Sequence, residues 1–393
     1  MRLLRQTLAL SWMGLATLPR RLGSSLVIVV GIAGVVGVLV SLLAMRDGFE
    51  GTLRAAGRLD EAIVLRGGSN TELSSHLTRE DATLIAQAPG ILAGADGRPL
   101  VSAEVVVVVN LPKKSTGTDS NVQLRGVGPQ ALALRTQLRV SAGRVFTAGR
   151  RELLVGRGAA DQFEGLALGR TIELAGEPWR VVGHFTSGDA HDSEVWADAA
   201  SVQSAYRRDG YQSVRVKLTD AGAFTALRAA LAGDPRLEVD VQRTRTYYAT
   251  QSQRLKRLIE VLATTVAAIM AVGATFGALN TMYAAVAARR REIAILRALG
   301  FASLAIVAAV MIEALTLALA GGMLGAALAW WAFDEYTVST LGANFSQVVF
   351  AFRVSPALVV DALRWALAIG FLGGLLPALH AVRAPLTVAL RGR

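Results

Sequence analysis

Two patterns of apolar and polar residues divide the chain. Four stretches are almost free of charge. The first, residues 24–44 (SSLVIVVGIAGVVGVLVSLLA), has about the ~20 residues a spanning helix needs. The second, 258–288, holds Glu260 as its one charge, and the third, 301–333, is broken only by Glu313. The fourth, 357–380, has Asp361 and Arg364 near its start. The second and third runs would make helices of roughly 45 Å at 1.5 Å per residue. A bilayer core is only about 30 Å thick, so their ends must project or tilt. The pattern predicts a multi-pass α-helical membrane protein with four transmembrane helices.

Between the first two runs the pattern changes to short strands and helices. Val101 to Leu111 (VSAEVVVVVNL) is short and rich in Val, which favours a strand. Asn121 to Gly126, Arg170 to Leu174 and Trp179 to Val182 read as further strands. Thr78 to Ala88 and Asp220 to Leu231 read as helices, the first with Thr78 and Asp81 as a capping pair. Lys113 to Ser120 is a polar loop. A large mixed α/β domain is therefore expected between spans one and two. Its flanks, Arg46 to Leu59 and Thr244 to Arg257, read as helical extensions of those spans.

Charge changes the picture by where it lies. The chain carries a net +11, which alone is compatible with nucleic acid. Residues 46–257, however, hold 28 Lys/Arg against 24 Asp/Glu, so the excess sits in short segments beside the apolar runs. Basic residues in such positions set orientation and meet lipid headgroups, and no nucleic-acid partner is expected. Arg2, Arg5, Arg20 and Arg21 precede the first span. Arg289, Arg290, Arg291 and Arg297 face only Glu292 between the second and third, and Arg383, Arg391 and Arg393 follow the fourth. All fall on one side of four alternating spans. The expected organisation is a cytoplasmic amphipathic segment (1–23), a first span (24–45) and a periplasmic domain with helical stalks (46–257). A second span (258–288), a cytoplasmic loop helix (289–300) and a third span (301–333) follow. A short periplasmic loop (334–356), a fourth span (357–380) and a cytoplasmic tail (381–393) complete it, with both termini cytoplasmic in a bacterial inner membrane. A cleaved signal peptide is disfavoured, because the first run is longer than an h-region of about 7–15 residues and no clear A-x-A site follows.

Three small-residue pairs, Gly273/Gly277, Gly321/Gly325 and Gly370/Gly374, each lie one turn apart and allow close helix approach. They serve either static packing within one bundle or an association that changes during a transport cycle. Glu313 inside the third span is a costly carboxylate, for which a functional role is the default reading. A helix–helix hydrogen bond, within the bundle or toward the 289–300 loop, is preferred over a proton relay.

The loop Arg289-Arg290-Arg291-Glu292-Ile293-Ala294-Ile295-Leu296-Arg297-Ala298-Leu299-Gly300-Phe301 resembles the R-R-x-E-I-x-x-x-R-x-L-G signature of the MacB/FtsX/LolC-type (type VII) ABC transporter permeases. Gly373 to Arg391 resembles that family's C-terminal stretch. Leu124 to Val127 with Ser141 to Phe146, and Gly169 to Gly183, resemble its periplasmic core. Asp192-Ser193-Glu194-Val195-Trp196 resembles a D-S-E-x-W variant of some members, to which the sequence attaches no chemistry. The loop itself reads as an amphipathic helix with Ile293, Leu296 and Leu299 on one side.

The resemblance implies that Arg290, Arg291, Glu292, Ile293, Leu296, Arg297, Leu299 and Gly300 form a coupling helix that docks on an ABC ATPase. It implies two copies of that ATPase, which would bind ATP and Mg, and a second permease subunit in a homo- or heterodimer. A periplasmic membrane-fusion adaptor and membrane lipid are further expected partners. Glu313 falls in a triplet, Ile312-Glu313-Ala314, that the family often carries. The implied function is transmission of ATPase-driven motion to the periplasmic domain for export of a hydrophobic or amphipathic substrate or lipid. The alternatives are lipoprotein release, or an FtsX-like regulator of a cell-wall hydrolase. An external segment of about 210 residues disfavours the regulator.

The sequence contains no G-x-x-x-x-G-K-[ST], no G-x-S-x-G and no H-E-x-x-H. A non-catalytic chain with no cofactor of its own is expected, the ATPase being supplied in trans. With no cysteine there is no thiol chemistry. His184 and His191, near Asp189 and Asp192, read as incidental residues of a polar loop rather than metal ligands.

Overall fold

The computed structural model describes residues 2–17, 22–342 and 344–383. In chain order the first elements are α1 (Arg2–Thr17), α2 (Leu22–Ala55), β1 (Glu61–Arg66), α3 (Arg79–Ala86), β2 (Val101–Pro112) and β3 (Asp119–Val127). Then come α4 (Ala131–Leu134), β4 (Arg139–Gly143), β5 (Glu152–Gly156), α5 (Arg157–Gln162), β6 (Thr171–Leu174), β7 (Glu177–Thr186) and β8 (Glu194–Asp198). They are followed by α6 (Ala199–Tyr206), β9 (Ser213–Lys217), α7 (Ala223–Gly233), β10 (Val239–Arg243), α8 (Thr244–Ala288) and α9 (Arg290–Ala298). The last are α10 (Ser303–Phe333), β11 (Thr337–Leu341), β12 (Gln347–Ala351) and α11 (Pro356–Arg383).

Two units result. A helical unit comprises Met1–Asp47, Arg257–Tyr336 and Phe352–Arg393, and a sheet unit comprises Gly48–Lys256 and Thr337–Ala351. Among the described residues four helices, α2, α8, α10 and α11, are long and apolar enough to cross a membrane.

In the helical unit, small residues set how closely the helices pack. A Cβ on Gly321 would lie 2.7 Å from the Val29 carbonyl oxygen, and one on Gly325 would lie 2.4 Å from that of Ala33. Both numbers advance by four, so α2 and α10 run parallel, backbone against backbone. Gly370 faces Ala318 and Gly374 faces Ala314, where the numbers run oppositely, so α10 and α11 are antiparallel. A Cβ on Gly273 or Gly277 would meet nothing within 4 Å among the described residues. The C-terminal tail beyond Arg383 and the pair Arg20–Arg21 lie outside the described residues.

In the sheet unit ten strands form one mixed sheet in the order β10-β1-β9-β2-β3-β8-β5-β7-β4, with β6 paired to the edge of β7. The four anticipated strands appear as β2, β3, β6 and β7. The Thr78/Asp81 pair caps α3 as expected: Asp81 N donates to Thr78 Oγ1 at 3.1 Å and Thr78 N donates to Asp81 Oδ2 at 2.8 Å. Alternation along β2 places Val105, Val107 and Val109 in one core with Leu124, Leu153 and Trp179. A second core gathers Val64, Val214, Val216 and Leu227.

Two boundaries need correcting. Helix α2 stops at Ala55 rather than continuing to Leu59. The segment 334–356 is no plain loop: β11 and β12 pair as an antiparallel hairpin that belongs to the sheet unit. Val349 N donates to Ser193 Oγ at 2.8 Å, and Asn121 Nδ2 to the Phe345 carbonyl at 2.7 Å. Such contacts join segments more than 150 residues apart, beyond the reach of a local pattern.

Candidate coupling site

Helix α9 is bounded by backbone chemistry at both ends. Arg289, with φ −104° and ψ 10°, interrupts α8 and starts α9 without a side-chain cap. At the far end Gly300 adopts φ +90°, a conformation open to glycine at little cost. Gly300 N donates to Arg297 O at 3.1 Å and Phe301 N to Leu296 O at 3.1 Å. This is the paired closure of a Schellman motif, which explains why the run ends Leu-Gly-Phe. Gly300 therefore terminates the helix, whatever else it does.

The helix buries Ile293 and Ala294, with Leu296 and Arg297 half-buried. Arg290, Arg291 and Glu292 are exposed. Leu299 departs from the predicted apolar face: it is 72% exposed, and Ile295 is 46% exposed. The outward surface of α9 thus mixes two aliphatic side chains with charged ones of both signs.

Arg289, which opens the 289–300 segment but is not in the set of coupling residues assigned from sequence, contacts two acids. Its Nε lies 3.2 Å from Glu292 Oε2 and its Nη1 lies 3.3 Å from Glu313 Oε2. Glu313 is buried on α10, and of the two contacts left open for it, within the bundle or toward the 289–300 segment, the one with Arg289 is of the second kind. Helix α1 packs here as well: a Cβ on Gly14 would sit 3.2 Å from Glu313 Oε2. Ala302 N, at the start of α10, donates to Gln6 Oε1 at 3.3 Å. A run of three arginines offered no signal as to which one turns inward.

The sheet unit contains a second constellation. Arg125 on β3 is fully buried and makes five hydrogen bonds to three carboxylates. Its Nε donates to Glu194 Oε2 at 2.8 Å, and its Nη1 to Glu72 Oε1 and Glu104 Oε2, both at 2.7 Å. Arg135 adds bonds to Glu104 at 2.7 and 2.9 Å, and Arg215 hydrogen-bonds the Tyr248 hydroxyl at the base of α8. Burial would raise the Glu72 carboxyl, but the charge and hydrogen bonds of Arg125, helped by Arg215, hold it at about 2. Burial likewise opposes ionisation of Glu104, and Arg135, Arg125 and Arg215 together hold it well below the usual carboxylate range.

The D-S-E-x-W stretch now has a physical role. Glu194 accepts from Arg125, Gln123 and Trp196 Nε1, Ser193 accepts from the hairpin, and Asp192 accepts from Ser187 N and Gly188 N. His191 is no incidental surface residue: it is buried, with Nδ1 2.7 Å from Asp189 Oδ1. His184 contacts the Leu166 carbonyl at 2.8 Å. Among the described residues no group of three or more metal-ligating side chains is assembled.

The MacB-like periplasmic core domain family matches residues 23–233, and the FtsX-like permease C-terminal family matches residues 264–386. A macrolide export ATP-binding/permease protein MacB of Bordetella avium is 26% identical over 91% of this chain and 55% of its own length. The MacB protein of Neisseria gonorrhoeae is 24% identical over 93% of this chain and 57% of its own length. An uncharacterized ABC transporter permease, YvrN of Bacillus subtilis, is 27% identical over 58% of each chain. The chain spans about half the length of the curated relatives it matches. The periplasmic region of MacB from Actinobacillus actinomycetemcomitans aligns at 17% identity with a TM-score of 0.38, over 50% of this chain and 94% of that one.

Proposed function

Because the chain belongs to the ABC transporter permeases that combine a MacB-like periplasmic core domain with an FtsX-like C-terminal region, we propose that α9 is the element on which a cytosolic ABC ATPase acts. The observation that carries this reading is the division of α9 between an anchored face and a free one. Ile293 and Ala294 hold it to the helical unit, while Arg290, Arg291, Glu292, Ile295 and Leu299 face outward. Two aliphatic side chains among charges are what a protein groove recognises; a segment serving only as a positive anchor needs no exposed leucine.

Motion received by α9 passes through Arg289 to Glu313 and so into α10. The Schellman closure at Gly300 makes α9 and the start of α10 a stiff corner rather than a loose loop. The parallel register of α2 with α10, and the antiparallel register of α10 with α11, support four alternating spans. Basic residues clustered in α1 and around α9 support a cytosolic position for those ends. The sheet unit then lies in the periplasm, and the transported compound is hydrophobic or amphipathic and is handled there. The ATPase in two copies, a second permease subunit, and ATP with Mg on the ATPase complete this reading. A periplasmic adaptor belongs to it where the substrate must leave the cell envelope.

The test is copurification with the ABC ATPase and measurement of its ATP turnover. Leu299→Asp and Glu292→Ala each are expected to lower turnover and ATPase recovery at least tenfold without loss of the folded chain. Recovery and turnover equal to the unaltered protein in both variants refute the assignment of α9.

A further inference from the structure

The helical unit carries an apolar groove of about 720 Å³ that the coupling mechanism does not use. It is bounded by Gly34, Gly37 and Val38 of α2, by Leu328 and Trp331 of α10, and by Phe352. Its volume falls within the roughly 300–1,000 Å³ typical of ligand sites. The groove exists because α2 offers glycine where a side chain would fill it. A Cβ at Gly34 meets nothing within 4 Å, and one at Gly37 meets only Gly325 O at 3.6 Å. Its polar groups are the Trp331 indole N–H and Ser41, whose hydroxyl donates to the Gly37 carbonyl of its own helix at 2.7 Å. The walls are otherwise apolar.

The rim has a different character. Arg353 follows Phe352 directly, and its backbone N donates to the Ala44 carbonyl at 3.1 Å, which fixes it beside the end of α2. Its side chain is exposed and has no ion-pair partner among the described residues. Three acids near this end have other partners, and a fourth, Glu335, donates its backbone N to the Phe352 carbonyl at 3.0 Å. Arg46 pairs with Asp47 at 2.7 Å and Glu260 at 3.7 Å, and Asp334 Oδ1 accepts from Val354 N at 3.0 Å. Trp331 and Tyr336, 80% and 57% exposed, add the amphipathic aromatics found at a membrane–water interface.

We propose that this groove binds a glycerophospholipid, one acyl chain lying between α2 and α10 and the phosphate meeting Arg353. An apolar trough with a cation next in sequence to its lining residue Phe352, and without an ion-pair partner among the described residues, fits an amphiphile with an anionic head. The site is independent of which compound is transported, and it rests on the reading that the four helices span a bilayer.

The test uses the full chain, delipidated in mild detergent and titrated with phosphatidylglycerol, with bound lipid counted by native mass spectrometry. Arg353→Gln is expected to weaken binding about fivefold, the equivalent of ~1 kcal/mol for a basic residue at a headgroup. Gly34→Leu, which fills the trough, is expected to abolish it. Equal binding by the unaltered chain and both variants overturns the proposal. A Val38→Cys variant, placed in a chain without other cysteines, carries a photoreactive label in native membranes. An adduct with phospholipid supports the site, and an adduct with a second copy of the chain overturns it. Release of the protein from membranes by alkaline carbonate would refute the spanning reading instead, and so is distinguishable from failure of the site.

Discussion

Replacing Arg125 by Met leaves three carboxylates, Glu72, Glu104 and Glu194, around an apolar side chain. In the native cluster that guanidinium makes five hydrogen bonds of 2.7–3.0 Å, and every partner is at least nine-tenths buried. Arg135 and Arg215 still serve Glu104, so the largest losses fall on Glu72 and Glu194. Breaking a buried pair by removing one partner costs about 3–5 kcal/mol, most of it from the charge left behind. The sheet unit should be destabilised by that amount at pH 7. Hydrogen–deuterium exchange of the full chain in detergent is the suitable assay, since two units in one chain make a single melting temperature ambiguous. Amides of β3 and β8 should exchange on the order of a hundred- to a thousandfold faster, while those of α10 and α11 stay as they were. The variant also carries a pH signature. Without Arg125, burial dominates and the Glu72 carboxyl moves above its ordinary value, so protonation relieves the cost. The gap between variant and native protein should narrow as pH falls from 7 to 5. An effect below ~1 kcal/mol, or a gap that widens on acidification, would refute the view that Arg125 neutralises this cluster.

Three further outcomes follow from the same geometry. In the native protein Glu72 is held at about 2 against an ordinary 4.5, a difference worth roughly 3 kcal/mol. Because the folded value is the lower one, this stability is fully present above about pH 4.5 and is lost as pH falls toward 2. Acid titration of Glu72→Gln, monitored by exchange in β3, should lack that dependence. Gly325→Val places its Cβ 2.4 Å from the Ala33 carbonyl oxygen and should destabilise the helical unit by about 1–3 kcal/mol. Gly277→Ala enters open space and should leave detergent-solubilised stability unchanged or up to ~1 kcal/mol higher; thermal aggregation of the two variants separates them. Thr78→Ala removes the cap of α3 and should cost about 1 kcal/mol, read as roughly fivefold faster exchange of the α3 amides.

The four long helices, the extent of β2 and the capped start of α3 were all readable along the chain. Each depends on a neighbour within about five residues, or on an apolar run too long for any other use. The glycine pairs show where that legibility ends. All three have the same spacing, yet Gly321/Gly325 and Gly370/Gly374 meet other helices while Gly273/Gly277 meet open space. Spacing specifies which face of a helix is smooth, but not what lies against it.

The candidate site divides in the same way. That a short amphipathic helix lies within 289–300 was legible, and it is observed over Arg290–Ala298. That Arg289 turns inward to Glu313, and that Leu299 turns outward, depended on how α9 packs against α10 and α1. The sheet unit shows this most clearly. Alternation in Ser213-Val214-Arg215-Val216-Lys217 implies one face in the core and one in water, but Arg215 is fully buried. Tyr248, reached 33 residues later, bonds to it, and Glu104 lies 3.6 Å away on the neighbouring strand β2. Local pattern along the chain assigns the long helices, several of the strands and the segments too apolar for water. Which charges are buried together follows from long-range packing, because a carboxylate and a guanidinium tolerate burial only as partners, and here the partners come from distant parts of the chain.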